Sequence, residues 1–513
     1  MPAPALIHKW QVLESFSLPT SSLNEEAITI ESSPSKTLTI ELFDCYKQKL
    51  RNAGLALYRS KNRFTLASSR DLETGAIVHQ RSLRKKVITW QHFDEGDLRN
   101  QLKKLLKLRA ATPKLRLKRR LRTHSLENQK GDTVATLEER RYSNATSGSS
   151  ISLLALHATP GLEEQAQRLA AILEKSLKLQ PAPASLLDWA CETAGLGASP
   201  LTPLQALKLD PADSVQKSVS TIAKLMVEAA RETEEGIIAD VDTEHLHDYR
   251  VSLRKLRSVL SLIKGAYAQD ETRRLKELIG NLAKSTNRLR DLDVYLLEAD
   301  TYRSLLPDSL QPGLKSMFRD FKSERNKELQ SIQRHLQSKT YRDAMESLSQ
   351  SFTRNDMPKG KQSDFPIGLV AAKEILLHHK RISKMGSALN AQTPDKKVHK
   401  LRIECKKLRY LLEVFESLFP ADAIKTITQQ LKGLQNVLGL FNDYCVQQAS
   451  LAHYLSKAKR IDRKASAAIG GLITSLHQAQ LETRKHVSEN FIQFNNKPTK
   501  RLFKTVFAQK EAR

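Results

Sequence analysis

Two stretches of the chain repeat one pattern of histidine and basic residues at helical spacing. The first, HDYRVSLRKLR, runs from His247 to Arg257, and the second, HKLRIECKKLR, runs from His399 to Arg409. An arginine offers a planar fork that can contact two phosphate oxygens, while a lysine supplies a mobile point charge. A histidine beside them can donate a hydrogen bond to the same anion. These residue types and their spacing predict anion binding.

The two stretches belong to an internal repeat with a shift of 152 residues. The shift takes His247 to His399, and it takes Asp291 to Asp443 more than forty residues downstream without a gap. Two homologous helical units in tandem, packed about a pseudo-twofold axis, explain this register. The basic residues related by the shift are Arg250 and Arg402, Arg254 and Lys406, Lys255 and Lys407, and Arg257 and Arg409.

In a helix, the histidine and the three arginines of the first stretch share one face. At about 100° per residue they fall within an arc of roughly 80°, and the leucines gather on the far side. A single basic helix is more simply explained as a solvated face. Duplication, and an arc that contains no Asp or Glu, favour a binding site, because like charges at this spacing repel unless an anion lies between them.

The histidines and aspartates of the repeat each allow two interpretations. His247 and His399 are either packing or capping residues, or they donate hydrogen bonds to a bound phosphate, which the paired placement favours. Asp291 and Asp443 either orient neighbouring arginines or act as acid and base groups. Arg290 stands beside Asp291, so the orienting role is favoured.

Four motifs of this half, in order, resemble the CHAD domain, the conserved-histidine α-helical domain. They are HDYRVSLRKLR, NRLRDLDVYL, VHKLRIECKKLRYLLEVF and LKGLQNVLGLFNDYCV. The resemblance covers nearly all of residues 213–513 and implies an all-α domain of two tandem four-helix units, about 213–360 and 361–513. It also implies that a basic central cavity binds inorganic polyphosphate.

The residues that the resemblance assigns to a polyphosphate site are His247, Arg250, Arg254, Lys255, Arg257, His399, Arg402, Lys406, Lys407 and Arg409. Six further basic residues are expected to add contacts: Lys284, Arg288, Arg290, Lys380, Arg381 and Lys384. Asn442 stands where the first repeat has Arg290, so the two halves are not expected to contribute equally there.

The first ~160 residues alternate in hydrophobicity with a period near 2, which predicts strands. The predicted strand regions are KWQVLESFSL, KTLTIELF, LALYRSKNRFTLASS and KKVITWQHF. GLEEQAQRLAAILEKSLKL, from Gly161, predicts an amphipathic helix, and a segment rich in Pro, Gly and Ala follows it. We therefore expect an α+β first domain over residues 1–205, a linker over 206–212 and the helical domain from 213 onward.

The first domain resembles the CYTH domain, the triphosphate tunnel fold, over about residues 5–205. TIELFDCYKQKLRNAGLALYRSKNRFTLAS and SLLALHATPGLEEQAQRLAAIL carry this resemblance, which implies an antiparallel β tunnel or barrel. Members of that family hydrolyse triphosphate or form cyclic nucleotides with a metal held on a Glu-x-Glu-x-Lys strand. The matching stretch is ALIHKW, where Ala5 and Ile7 replace the carboxylates and Lys9 is retained. We expect a scaffold without catalysis, metal or cofactor.

An active CYTH-type triphosphatase or polyphosphatase, with the helical half capturing substrate, is the first alternative. Glu14, Glu41 and Glu138 could supply carboxylates, although none of them shows i, i+2 pairing. In KLRLKRRLR the alternate residues are basic, so one face of a strand meets either a tunnel lumen or solvent. These residues are Lys114, Arg116, Lys118 and Arg120.

The amino-acid composition bears on two questions, namely what the protein binds and where it is located. Lys and Arg exceed Asp and Glu by 83 to 56, a net charge of +27, which favours a polyanionic partner. Nucleic acid is the second alternative, but aromatics are only 6% and none interleaves with the basic motifs as a stacking platform would. No run of about 18 apolar residues predicts a membrane span. We expect a cytoplasmic protein, and the CHAD resemblance implies recruitment to polyphosphate granules.

Overall fold

The computed structural model of the chain describes residues 5–13, 17–79, 81–197, 207–354, 356–390, 392–457 and 462–508. Two compact units divide the chain, Met1–Pro200 and Leu201–Arg513. The first unit is built on a β-sheet and the second is helical, which confirms the α+β organisation expected from the sequence.

Within the described part of the first unit, ten strands form one antiparallel sheet. The strands are β1 (Ala5–Val12), β2 (Thr29–Ser32), β3 (Lys36–Asp44), β4 (Leu55–Ser60), β5 (Arg63–Ser68), β6 (Ile77–Val78), β7 (Thr112–Glu127), β8 (Thr133–Asn144), β9 (Ser150–Ala158) and β10 (Leu179–Pro181). Their order is β10-β1-β9-β8-β7-β3-β4-β5-β6, and β2 pairs with β7. This antiparallel sheet is consistent with the CYTH-like tunnel that the sequence implies.

Short helices cover parts of this sheet with apolar side chains. They are α1 (Thr20–Glu25), α2 (Lys49–Asn52), α3 (Asp97–Leu106), α4 (Glu163–Ser176) and α5 (Leu186–Thr193). Helix α4 confirms the predicted amphipathic helix: Glu163 and Glu164 occupy its first turn, Lys175 its last, and Leu169 and Leu173 are buried against the sheet.

The predicted strand in KKVITWQHF is wrong. Residues Trp90–His92 form a 3-10 turn, and Ile88 makes only an isolated bridge with Ala111. Reciprocal capping explains the turn, because the Thr89 side chain accepts from the backbone of His92 while the His92 ring accepts from the backbone of Thr89. Hydrogen bonds between side chains and the backbone leave no mark in the hydrophobic pattern, so that pattern could not predict this turn.

The second unit begins with the helices of the first repeat. They are α6 (Val215–Arg231), α7 (Glu234–Ile238), α8 (Thr243–Leu262), α9 (Gln269–Lys284), α10 (Asn287–Leu297), α11 (Ala299–Ser304), α12 (Leu314–Leu336) and α13 (Lys339–Thr353). The helices of the second repeat are α14 (Ile367–Ser387), α15 (Asp395–Val414), α16 (Ala421–Lys457), α17 (Arg463–Phe494) and α18 (Lys497–Phe507).

Four helix boundaries of the first repeat map onto helix boundaries of the second by the 152-residue shift. The shift moves the start of α6, Val215, onto the start of α14, Ile367. It moves both ends of α8 onto both ends of α15, and it moves the start of α9, Gln269, onto the start of α16, Ala421. The duplication predicted from two short motifs therefore extends to whole helices.

The stretch that forms α9 and α10 in the first repeat forms one continuous helix, α16, in the second. Ser285 and Thr286 separate α9 from α10, and their hydroxyls donate to the backbone carbonyls of Leu282 and Ala283. Such side-chain bonding competes with the helical hydrogen bonds. The second repeat has Val437 and Leu438 at these positions. They carry no hydroxyl, and α16 continues through them without a break.

The apolar faces of α8 and α15 lie in a single hydrophobic core that draws on both repeats. Leu253 and Leu256 on α8, and Leu401 and Leu408 on α15, are fully buried, as the helical period predicts. Because the leucine face of each helix is buried, the basic side chains are held on the opposite face. None of the helices in the described ranges is apolar over a length that could span a bilayer.

Close packing of α14 predicts a large effect from one added methyl group. A Cβ at Gly386 would overlap the ring of Phe491, whereas nothing lies within 4 Å of a Cβ at Gly470 on α17. We expect Gly386→Ala to lower the free energy of unfolding by about 1–3 kcal/mol. Gly470→Ala is the matched control and should raise it by about 0.5–1 kcal/mol, because glycine loses more backbone entropy in a helix.

The measurement is urea unfolding followed by far-ultraviolet circular dichroism, which reports the helices. All three tryptophans, Trp10, Trp90 and Trp189, lie in the first unit, so their fluorescence reports that unit. Equal stability of the two variants, or a shift of the fluorescence transition alone, would contradict the packing at Gly386.

Candidate anion-binding site

The two motif helices, α8 and α15, pack against each other within the second unit. Asp242 caps the start of α8, where its carboxylate accepts from the backbone N–H groups of Glu244 and His245. Arg290 on α10 donates to the Thr243 carbonyl at 3.3 Å, which ties α10 to the same end of α8. The first motif therefore begins at a fixed helix end.

Four cations from the two repeats act on one another electrostatically. Burial, followed by the charges of Arg402, Arg254 and Arg409, lowers the pKa of Lys406 to about 8 against the opposing charge of Asp443. Burial also lowers the pKa of Arg402, where Arg254 and Arg409 add to the effect. Arg254 belongs to the first repeat and the other three to the second. Predicted site residues from both repeats thus lie within reach of each other's charge.

Arg250 is held at the break between α9 and α10. Its Nη1 donates to the Ala283 carbonyl at 3.0 Å, to Thr286 Oγ1 at 2.7 Å and to Asn287 Oδ1 at 2.8 Å. The equivalent Arg402 has a different partner, Asp443, whose Oδ1 lies 3.6 Å from Arg402 Nη2. The continuous α16 leaves no freed carbonyl for Arg402 to bind.

The two motif histidines have different neighbours. His247 is half-buried, and burial first, then the charge of Arg290, lowers its pKa. His399 is exposed, and its Nδ1 lies 2.6 Å from Asn442 Oδ1. Arg290 and Asn442 are related by the repeat, so the same position acts on the histidine in each half, through its charge in the first and through a hydrogen bond in the second.

The two aspartates lie beside arginines. Burial raises the pKa of Asp291, and Arg250, Arg288 and Arg290 oppose that shift. Asp443 is the carboxylate beside Arg402. These neighbours support the interpretation of both aspartates as groups that orient arginine side chains.

The equivalent lysines Lys255 and Lys407 are engaged in ion pairs. Lys255 Nζ lies 2.9 Å from Glu413, which also approaches Arg409 Nε at 3.5 Å. Lys407 Nζ lies 2.6 Å from Glu404. Burial raises the pKa of Glu404, but hydrogen bonds from His378 and Lys407 outweigh it and hold that pKa at about 2.

Glu413 was not among the predicted site residues, although its i, i+4 spacing from Arg409 is visible in the sequence. It stands one turn beyond the arc of the second motif. Its contact with Lys255 joins the two motif helices, which the sequence pattern does not indicate.

The additional predicted contacts are dispersed. Arg288 makes two hydrogen bonds of 2.6 Å to Glu324, so its fork is occupied within the fold. Lys380, Arg381 and Lys384 are exposed on α14. Within the ranges that the structure describes, no hydrogen bond or ion pair joins these three residues to either motif. Their role in the site stays a prediction.

Two cavities open beside the motifs. A cavity of about 280 Å³ between α15 and α16 is lined by Arg402, Lys406 and Arg409, together with Glu413 and Lys432. A larger one, of about 1290 Å³, lies between α8 and α9 and includes Arg257 and Lys284. Five of the predicted residues therefore line open space that a ligand could enter.

In the first unit, the acids considered as metal ligands already have cationic partners. Glu41 accepts from Arg116 Nε at 3.0 Å and from Arg59. Glu138 contacts Arg140 and His157, and the hydrogen bond with His157, followed by the Arg140 charge, lowers the pKa of Glu138 to about 2 against the effect of burial. Glu14 lies outside the described residues. In the part of the chain that is described, no three His, Cys, Asp or Glu side chains gather as a metal-binding group.

The basic residues of β7 divide between exposed and half-buried positions. Arg116, Lys118 and Arg120 are exposed, and Arg116 pairs with Glu41. Lys114 is half-buried, and burial lowers its pKa. The opposite face of the strand carries Leu115 and Leu117 into the core, so three of the four alternating cations meet solvent.

The helical unit is a duplicated all-α module. Residues 221–452 match the family model of the CHAD domain. This part of the chain is therefore a CHAD domain, and the resemblance carried by the four motifs is confirmed. No curated protein matches the chain.

Two solved structures are similar to the chain. The crystal structure of the CHAD domain from the plant Ricinus communis is 21% identical, with 57% of this chain and 97% of that chain covered and a TM-score of 0.48. PptA from Streptomyces chartreusis is 11% identical, with 54% of this chain and 99% of that chain covered and a TM-score of 0.44.

The shifted pKa of Lys406 gives a test of the contact between repeats. Its ammonium should lose its proton near pH 8, so that it is charged below and neutral above that pH. We expect Arg254→Gln to raise the pKa of Lys406 towards the ordinary lysine value, because a repelling charge is removed. Lys400→Gln, which removes an exposed charge from the same helix, should leave that pKa unchanged.

The measurement is an NMR titration of ¹³C-labelled lysine side chains, with the Lys406 signal assigned by its loss in Lys406→Arg. A Lys406 pKa that is insensitive to Arg254→Gln would show that the basic faces of the two repeats do not meet.

Proposed function

We propose that this protein binds inorganic polyphosphate along cations contributed by both helical repeats. The observation that carries the proposal is the packing of α8 on α15, which brings Arg254 of the first repeat within electrostatic reach of Lys406, beside a cavity lined by Arg402, Lys406 and Arg409. Cations that are held this close without an intervening anion destabilise one another. A polyanion lying among them would turn that repulsion into attraction.

A chain of linked phosphates fits this arrangement better than a single small anion. Successive cations on each motif helix lie one turn apart, about 5.4 Å along the axis. A linear polyanion can meet several of them in succession, and each arginine can contact two oxygens of one phosphate. The affinity then comes from many modest contacts and from released counterions, so it should depend steeply on salt.

The CHAD match over residues 221–452 supports the same ligand, because the family resemblance implies polyphosphate binding. By the same reasoning we propose that the protein is cytoplasmic and is recruited to polyphosphate granules. A fluorescent fusion that stays diffuse in granule-rich cells would contradict this recruitment.

The principal prediction is that polyphosphate binding depends on cations from both repeats. We expect Arg254→Gln and Lys406→Gln each to weaken binding of long-chain polyphosphate by roughly tenfold, since a lost contact to a charged group is worth about 1.5 kcal/mol. Lys339→Gln, an exposed lysine at the start of α13, is the matched control with the same charge change and should have no effect. Titration of the full chain with labelled polyphosphate at several salt concentrations measures these affinities.

Competition separates polyphosphate from nucleic acid in the same assay. Unlabelled long-chain polyphosphate should displace the label at moderate salt, and DNA or RNA at equal phosphate concentration should not. A preference for nucleic acid, or full binding by Arg254→Gln and Lys406→Gln, would overturn the proposal.

The alternative of an active triphosphatase rests on residues 1–205, which we propose to be a non-catalytic tunnel-like domain. Glu41 and Glu138 are already bonded to arginines, and Glu73 lies 2.7 Å from both Arg119 and Arg140. A hard metal ion would have to displace these guanidinium groups to obtain its oxygen ligands.

We therefore expect no release of phosphate from tripolyphosphate above background with Mg²⁺ or Mn²⁺. The assay uses the full chain and detects free phosphate, with polyphosphate binding by the same sample as proof of folding. Phosphate release that is abolished by Glu138→Gln would establish the enzyme instead.

A further inference from the structure

The cavity between α8 and α9 has a counterpart in the second repeat, but the two differ in size. We call them the first cleft, of about 1290 Å³, and the second cleft, of about 280 Å³. The 152-residue shift relates residues that line the first cleft to residues that line the second. Positions related by the shift are Arg257 and Arg409, Ser261 and Glu413, Lys276 and Thr428, Gly280 and Lys432, Ala283 and Gln435, and Lys284 and Asn436.

Longer side chains occupy the second cleft. Where the first repeat has Ser261, Gly280 and Ala283, the second has glutamate, lysine and glutamine. Gln435 Nε2 donates to the Cys405 carbonyl at 2.7 Å, and Glu413 lies 2.9 Å from Lys255. These side chains are tied to α15 and α8, so they take up part of the space that stays open in the first repeat.

Small residues keep the first cleft open beside a guanidinium group. A Cβ at Gly280 would stand 3.6 Å from Arg257 Cζ, an ordinary contact distance, so a longer side chain at this position would extend into the cleft. Arg257 is exposed there. The cleft therefore offers room for a ligand directly against one of the motif arginines.

The first cleft is also strongly cationic. Its lining has one acid, Glu277, and these cations: Arg257, Lys264, Arg273, Lys276, Lys284, Lys359 and Lys361. Arg273 pairs with Asp270, and Lys359 pairs with Asp364. Among the described residues, the other five cations have no ion-pair partner. A bound anion would neutralise the positive electrostatic potential of these five side chains.

The first cleft lies next to the four cations from the two repeats that approach one another. We call them the shared cations: Arg254, Arg402, Lys406 and Arg409. Arg257 lies three residues, or about one helical turn, beyond Arg254 on α8. Asn287, which lines the cleft, accepts a hydrogen bond from Arg250. A polyanion that contacts Arg254 can therefore reach the cleft without leaving the basic face of α8.

We propose that bound polyphosphate extends from the shared cations along α8 into the first cleft, and that it does not reach Lys432 on the α16 side of the second cleft, so that the site is open at one end only. This inference rests on the proposed function and adds to it the direction in which the bound polyphosphate chain extends. Short chains are held by the shared cations alone. Longer chains gain the contacts of the first cleft, in which Lys276 and Lys361 have no acidic partner in the described structure.

The experiment compares charge removal in the two clefts of the full chain. Lys276→Gln combined with Lys361→Gln should weaken binding of long-chain polyphosphate by about tenfold and leave tripolyphosphate binding unchanged. The slope of log affinity against log salt should fall by about 1.4, or roughly 0.7 for each lost phosphate contact on a flexible strand. Lys432→Gln, the same charge change in the second cleft, should alter long-chain affinity by no more than about twofold.

A second variant separates occlusion from charge. Gly280→Lys places in the first cleft the residue found at the corresponding position of the second. If the cleft holds phosphates, this side chain obstructs it and long-chain affinity falls, although a positive charge has been added. An increase in affinity would overturn the proposal, as would equal effects of the Lys276, Lys361 double variant and Lys432→Gln.

The outcomes distinguish this inference from the function on which it rests. Failure of the unaltered protein to bind long-chain polyphosphate would refute the proposed function. Normal binding that the first-cleft substitutions leave intact would refute only the extension into the first cleft.

Discussion

Repulsion between the basic faces of α8 and α15 is the constraint on which the helical unit depends. Buried leucines such as Leu253 and Leu401 hold these helices in a common core, and this placement leaves Arg254, Arg402 and Lys406 within reach of each other's charge. Burying a lysine near arginines costs free energy, which the depressed pKa of Lys406 records. Hydrophobic burial therefore maintains an arrangement of charge that the cations alone would not adopt.

Acidic side chains of the same unit neutralise some of these positive charges. The basic residues of the motifs are therefore not equally available to a bound anion. Glu413 joins Lys255 of the first repeat to Arg409 of the second, and Glu404 engages Lys407. In the described structure, the cations without an ion-pair partner include Arg254 and Lys406 and five cations of the first cleft: Arg257, Lys264, Lys276, Lys284 and Lys361. Binding capacity is thus concentrated in a subset of the basic residues that the motifs contain.

The two repeats share the boundaries of their motif helices, while other helices and their surfaces differ. Hydroxyls at Ser285 and Thr286 break the helix of the first repeat and give Arg250 a carbonyl to bind, whereas Val437 and Leu438 leave α16 continuous. Small residues leave the first cleft wide, and longer ones narrow the second. In the first unit, carboxylates on the sheet are paired with arginines, so the cationic character of that unit is also moderated internally.

The sequence by itself determined the duplication and the buried leucine faces, because helical periodicity and repeat register are properties of the chain that do not depend on its fold. It also indicated that position 290 and position 442 would differ. It did not determine that Glu413 would pair with Lys255 or that Lys407 would pair with Glu404. It also did not determine that the first cleft would be wide and the second narrow. It misassigned KKVITWQHF, where capping by Thr89 overrides the alternating pattern. Contacts of this kind depend on which side chains the folded helices bring within a few ångströms, and only the tertiary structure decides that distance.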